Sequence, residues 1–169
     1  MANCQRATLE RADRHRMYGM WFPRQLVLLF CLAVVAAILG CATNRETAAI
    51  TPNMEVASLK RFYVAKFDPD ERGVNELIMT ELRRMGFDAT TGPEASAPKN
   101  VDAIITYRDK WWWDITMYMI ELRIFVREPE TQTLLAMGNS YHTSLTRMSP
   151  QEMVAQVLAN IFAKAKKAP

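Results

Sequence analysis

From Met117 to Arg127 the chain alternates in character at every step. Tyr118, Ile120, Leu122, Ile124 and Val126 fall on one side of an extended backbone, and Met117, Met119, Glu121, Arg123 and Arg127 on the other, with Phe125 as an apolar exception. Strand side chains point alternately to opposite faces, so this run calls for a sheet with one covered face and one more open face. The rest of the chain has to supply the neighbouring strands and the cover.

Leu59 to Phe67 is rich in aromatic and β-branched residues and reads as a first strand, with Leu59, Phe62 or Tyr63, Val64 and Phe67 available to a core. Asp68-Pro69-Asp70-Glu71 then has the chemistry of a helix start: a side-chain oxygen for free backbone N–H groups, Pro where the missing N–H costs nothing, and an acid three residues after the cap. Val74, Leu77, Ile78, Leu82 and Met85 recur at helical spacing, and Gly86 stands where a helix ends on a left-handed residue. Gly73 weakens the first turn by about 1 kcal/mol relative to Ala, which moves the start of the regular helix toward it. Phe87 to Thr90 follows as a short strand, and 91–100 as a Gly-, Pro- and Ser-containing loop.

Val101 to Asp114 is a long strand in which Ala103, Ile105 and Tyr107 alternate with Asp102, Thr106, Arg108 and Lys110. After the central run, 128–132 closes a hairpin and 133 to about 145 returns as the last strand. Ser149-Pro150-Gln151-Glu152 is a capping box, and Met153, Val154, Val157, Leu158, Ile161 and Phe162 form the apolar stripe of a second helix. Lys164, Lys166 and Lys167 suit the negative end of its dipole. The order β-α-β-β-β-β-α predicts an α+β two-layer sandwich, in which a mainly antiparallel sheet of four to five strands carries two helices on one face.

A different feature organises the first 40 residues. Leu26 to Leu39 is apolar throughout, about 14 residues long where a bilayer-spanning helix needs about 20, and suits the core of a secretion signal. Arg24, with Arg6, Arg11, Arg14 and Arg16 further out, puts positive charge on its amino-terminal side. The run ends in Ile38-Leu39-Gly40-Cys41, which resembles the lipobox of bacterial lipoproteins, although Leu39 is bulkier than the usual residue there. The resemblance implies a diacylglycerol thioether on the Cys41 sulfur, cleavage before Cys41 and a third acyl chain on the new amino terminus. Met17 or Met20 would start a leader of more ordinary length.

On this reading 1–40 is a cleaved signal peptide, 41–57 the lipidated Cys and a polar tether, and 58–169 a single periplasmic α/β domain. The tether's roughly 16 residues reach at most about 50 to 55 Å, so the domain works close to its membrane. Ala42, where an Asp would retain the protein in the inner membrane of enterobacteria, favours the outer membrane by analogy.

Cleavage changes what the composition means. The leader holds five Arg against Glu10 and Asp13, so of 21 basic and 18 acidic residues the remainder keeps 16 of each. The basic balance belongs to the leader, and no nucleic-acid partner is expected. Cys4 and Cys31 leave with it, so Cys41 is the last thiol, and neither a disulfide nor a Cys-based metal site is expected. No phosphate loop or metal-ligand spacing is present, and no cofactor is expected. His142 between Ser140 and Ser144 lacks a nucleophile elbow or a Gly-rich oxyanion loop and reads as a polar surface residue. Glu128 and Glu130 read as solvated turn residues. No enzyme activity is expected.

The lipobox, the tether, the β-α-β opening, the run Tyr107 to Ile120 and the segments Gly138 to Leu145 and Ser149 to Val154 together resemble small proteobacterial lipoproteins that have no assigned activity. More distantly, the element order is similar to α/β envelope accessory lipoproteins that activate peptidoglycan synthases or assist secretion. The resemblance carries no activity with it; the residues themselves read as a lipid-anchored, non-enzymatic module whose open sheet face binds an envelope protein. The alternative is a lipid- or glycan-binding carrier, which needs a concave apolar cavity, for instance one lined by Trp111 and Tyr118.

Trp111-Trp112-Trp113 exceeds what a fold needs. With Met117, Met119 and Phe125 it forms the candidate interaction surface, rimmed by Arg108, Lys110 and Arg123. Two other readings stand beside it: the rings plug the end of a thin core, or they sit in the membrane headgroup region, where Trp is favoured.

Overall fold

A computed structural model describes residues 26–29, 44–52 and 54–167. The chain divides into two compact units, Met1–Ala42 and Thr43–Pro169. In the first, residues 26–29 are helical; the signal cleavage point and Cys41 lie outside the described residues. No helix among the described residues is long and apolar enough to cross a membrane.

The second unit is α+β, in the order β1 (Arg45–Ile50), β2 (Arg61–Lys66), α1 (Val74–Arg84), β3 (Asp88–Pro93), β4 (Ala103–Trp113), β5 (Met117–Arg127), β6 (Leu134–Tyr141) and α2 (Pro150–Ala165), with short 3-10 turns between. The strands form one sheet in the order β1-β6-β5-β4-β2-β3. Pairs β1·β6, β4·β5 and β5·β6 are antiparallel, whereas β2 pairs in parallel with both β3 and β4. The sheet is thus six-stranded and mixed, where four to five mainly antiparallel strands were expected.

The added strand is β1, which corrects the reading of 41–57 as tether throughout. Its sequence, Arg-Glu-Thr-Ala-Ala-Ile, has little strand propensity of its own and stays largely exposed. It is held from outside. The β6 edge supplies a six-residue ladder from Arg45↔Tyr141 to Ile50↔Ala136. On the covered face, Lys164 Nζ donates to the Ala48 carbonyl at 2.7 Å and Gln156 Nε2 to Glu46 at 2.6 Å.

Both helices pack on one face of the sheet. Val74, Ile78 and Leu82 of α1 are buried, as are Met153, Val154, Val157, Leu158, Ile161 and Phe162 of α2, matching the stripes read from spacing. They close over Phe62, Val64, Ala103, Ile105, Tyr107, Leu122, Ile124 and Val126. Where α2 crosses β6 the approach is close enough to need Gly138, since a Cβ there would lie 2.7 Å from Val157 Cγ1 and 2.9 Å from Ile161 Cγ1.

The helix ends follow the capping chemistry. Ser149 and Glu152 form the expected capping box, with Pro150 at the first position. Gly86, at φ 93°, ends α1: Gly86 N–H donates to the Arg83 carbonyl and Phe87 N–H to that of Leu82. This delivers Phe87 against Phe62 (5.1 Å, edge-on) and Phe162 (4.5 Å, stacked).

The start of α1 is built differently from the plain cap expected. The helix begins at Val74, after Gly73 at φ 69°. Its cap is Asp70, three residues before Gly73, whose carboxylate accepts from Arg72 N (2.8 Å), Val74 N (2.7 Å) and Asn75 N (3.3 Å). The buried Tyr107 hydroxyl donates to the same carboxylate at 2.6 Å, tying the helix entrance to β4.

Candidate functional site

The β4–β5 hairpin carries most of the residues singled out by sequence. Its ladder runs in register from Ile104↔Arg127 to Lys110↔Glu121, then resumes at Trp111↔Met119, so Ile120 is an extra residue on β5. Such a bulge reverses the parity of the strand beyond it. Met119 therefore joins Leu122 and Ile124 in the core and is fully buried, while Tyr118 turns to the other face. Met119 is not part of an open surface.

Beyond the bulge the hairpin outgrows its neighbours. The β6 ladder stops at Glu121↔Tyr141 and the β2 ladder at Val64↔Ile105. Lys110 to Trp113 and Met117 to Ile120 continue as a two-stranded arm, and a lone pair of strands is at best marginally stable in water. Three props hold it. Trp111 packs half-buried against the main core, its indole N–H donating to Asp109 at 2.5 Å and the Arg72 guanidinium stacked 4.4 Å from its ring. Met119 fills the core beneath. Arg147 clamps the turn, donating to Thr116 Oγ1 at 2.6 Å and to the Asp114 carboxylate while lying 4.3 Å over the Tyr118 ring. The bond from Arg147 holds Asp114 below the usual carboxylate range.

The remaining side chains of the arm lack such cover. Trp112 is 53% exposed, Trp113 63%, Met117 47% and Ile115, at the apex, 85%. Leu145, on the 3-10 turn leading to Arg147, is 84% exposed. Ile115 and Leu145 are residues that sequence reading passed over. Ile115 follows an Asp in a turn, and Leu145 ends a run that reads as strand although β6 stops at Tyr141, so neither carries a surface signal in sequence.

Phe125 belongs elsewhere. It lies eight residues from Met117 along β5, about 26 Å at strand rise. There it is half-buried on the uncovered sheet face, paired with Met137 of β6 and overlain by Arg127 at 5.7 Å. Tyr141, Asn139 and Thr47 continue this face across β6 and β1, and Arg45 and Arg123 are exposed on it. The candidate surface thus separates into an apolar arm tip (Trp112, Trp113, Met117) and a cationic, partly apolar sheet face around Phe125. Trp111 and Met119 serve the core.

Trp111 sits opposite Met119 and Tyr118 opposite Trp112, so Trp111 and Tyr118 are on opposite faces and cannot line one cavity. A separate open groove of about 620 Å³ lies where β2 and β3 end, lined by Lys66, Phe67, Glu94, Thr106 and Arg108 among others. Arg108 stacks 4.1 Å over Phe67 within it.

His142 is buried at 3% exposure, not a surface residue as expected. Its Nε2 is 3.1 Å from Gln156 Oε1, which also accepts from Ser140 Oγ at 2.5 Å. Ser140 and His142 thus share one face, as alternation required, but they meet through an α2 glutamine. Among the described residues no cluster of three or more His, Cys, Asp or Glu is placed to hold a metal.

No protein-family model matches the chain, and no curated protein matches it. Solved structures do. The fold is that of a two-layer α+β domain shared with PelC from Paraburkholderia phytofirmans, solved as a dodecamer: TM-score 0.51, 14% identity, covering 71% of this chain and 97% of that one. Two weaker likenesses are a PDZ domain protein from Parabacteroides distasonis (TM-score 0.42, 12% identity, 73% of this chain and 36% of that) and TolB from Acinetobacter baumannii (0.41, 14%, 73% and 31%).

Proposed function

We propose that this chain is a membrane-anchored lipoprotein of the bacterial cell envelope, acylated on Cys41, that acts as a non-enzymatic binding module through the uncovered face of β5, β6 and β1. The observation that carries the reading is that face itself. Both helices lie on the other side, yet Phe125 and Met137 sit side by side on it, with Arg123 and Arg127 flanking Phe125 along β5, Arg45 further along in the row of Tyr141 and Glu121, and Glu121 already bonded to Arg123 at 2.7 Å. An aromatic centre with an arginine rim is what protein interfaces select, and the cationic surplus fits an acidic partner.

The test is photo-crosslinking in intact envelopes, with a photoreactive residue replacing Asn139, in the native background and with Phe125→Asp. One defined adduct lost on the substitution supports the reading, and equal patterns in both sink it. Because PelC was solved as a dodecamer, the adduct's mass is informative: twice the chain would make the partner a second copy of this protein.

A further inference from the structure

We infer that the tip of the β4–β5 arm is a membrane-seating element that enters the headgroup region of the bilayer holding the lipid anchor. The inference rests on the proposed acylation of Cys41 and assigns the tip a ligand of its own, distinct from that of the Phe125 face.

Position, chemistry and charge converge on a lipid surface. The arm tip and the start of the second unit are at one end of that unit: Asn44 Oδ1 accepts from Thr146 Oγ1 at 2.5 Å, and the adjacent Arg147 grips Thr116 and Asp114 of the hairpin turn. Cys41 precedes Asn44 by three residues, a reach of at most about 11 Å. Since β1 is a strand from Arg45 onward, that is all the slack an anchored domain has. An acyl chain on Cys41 therefore brings the bilayer to the tip, leaving little room for a protein between them.

The exposed side chains are those that interfaces of water and lipid select. Trp112 and Trp113 are amphipathic rings favoured at headgroup level, while Ile115 and Leu145, each more than four-fifths exposed, are suited to the acyl boundary. A free carboxylate at the apex would oppose entry, but Asp114 is paired with Arg147 and carries no uncompensated charge toward the lipid. The backbone groups facing across the arm are paired down to Trp113↔Met117, while the outer edges of its two strands are open, which suits the hydrated headgroup region and not the hydrocarbon core. The rigid support described above keeps the tip projecting instead of folding back onto the domain.

The experiment uses the lipidated protein in vesicles of phosphatidylethanolamine and phosphatidylglycerol. One cysteine variant, Ile115→Cys, carries an environment-sensitive fluorophore at the tip, and a second, Glu130→Cys, carries it on the β5–β6 turn at the other end of β5. The inference expects a blue-shifted Ile115 label protected from aqueous iodide, beside a Glu130 label that stays fully quenchable. Equal quenching of both labels, with the protein still sedimenting with vesicles, overturns the inference and leaves the anchor standing. A label at Ile115 that is exposed on pure vesicles but protected once envelope proteins are added assigns the tip to a protein and also overturns it. Failure of the protein to sediment, with an unmodified Cys41 by mass spectrometry, removes the anchor and this inference with it.

Discussion

Removing the Asp70 carboxylate should be among the most damaging single changes in the domain, and its size can be worked from the geometry. Asp70 is 3% exposed and receives four donors: Arg72 N at 2.8 Å, Val74 N at 2.7 Å, Tyr107 Oη at 2.6 Å and, more weakly, Asn75 N at 3.3 Å. Gly73, at the helix boundary, has no side chain to replace it. Each buried donor left without a partner costs about 1 to 3 kcal/mol, and water entering the vacated space recovers part of that. Three good bonds then set a loss of about 3 to 4 kcal/mol for Asp70→Ala. Asp70→Asn keeps the volume and one acceptor oxygen and should cost about half as much. Such losses are a large share of the roughly 5 to 15 kcal/mol that holds a domain folded.

The assay is urea unfolding of residues 43–169 followed by Trp fluorescence, with Tyr107→Phe completing a double-mutant cycle. Asp70→Ala within about 0.5 kcal/mol of native, or additivity of Asp70→Ala and Tyr107→Phe, would refute the shared network. The same carboxylate sets a pH dependence. Burial alone would raise its pKa, but the Tyr107 hydroxyl and the N–H groups of Arg72, Asn75 and Val74 outweigh that and hold it below the usual carboxylate range. A depressed folded pKa means that the contribution is complete above the unfolded value near 3.9 and is lost as pH falls through the folded one. Tyr107→Phe removes one of those bonds, so its acid unfolding midpoint should move to higher pH.

Other substitutions probe separate links. Met119→Ala should cost about 2 to 5 kcal/mol, because the bulge at Ile120 turns it into the core, and Met117→Ala close to nothing, because it lies on the same face but beyond the end of the core; a Met119→Ala loss below about 0.5 kcal/mol in chemical unfolding would deny the parity change. Gly138→Ala pushes a methyl into Val157 and Ile161 and should cost about 1 to 3 kcal/mol, read from the same unfolding curves. Arg61 donates two bonds to Asp102, at 3.1 and 2.7 Å, and, with the Lys60 and Arg61 backbone N–H groups, lowers its pKa to about 2. Its stabilisation should therefore be present above about pH 4 and fade toward pH 2. Asp102→Asn should flatten the stability profile between those values, which a pH series of melting temperatures would detect.

Much of the domain could be read from local chemistry because local chemistry determines it. The α2 stripe and its Ser149–Glu152 box, the α1 stripe ending at Gly86, and the alternation of β4 up to Tyr107 depend on spacing and backbone donors that lie within a few residues of one another. β1 could not be read this way. Residues 45–50 carry no strand signal, and their ladder, together with the Lys164 and Gln156 contacts, comes from partners 86 to 116 residues away. The buried state of His142 has the same origin, since it depends on Gln156 of α2.

The candidate site divides along the same line. That Trp111-Trp112-Trp113 exceeds the needs of a core, and that Trp112 must oppose its neighbours, follows from residue type and period alone. Which rings remain in solvent was decided by how far β4 runs past its neighbours, and which β5 side chains lie opposite them by one residue in the ladder. Strand periodicity carries no information about a bulge, because a bulge is a disagreement in length between two strands and exists only once they are paired. It turned Met119 inward and set Tyr118 on the opposite face beneath Arg147, while the run of the arm past β2 and β6 left Trp112, Trp113, Ile115 and Met117 in the open, beside the point where the chain enters its sheet.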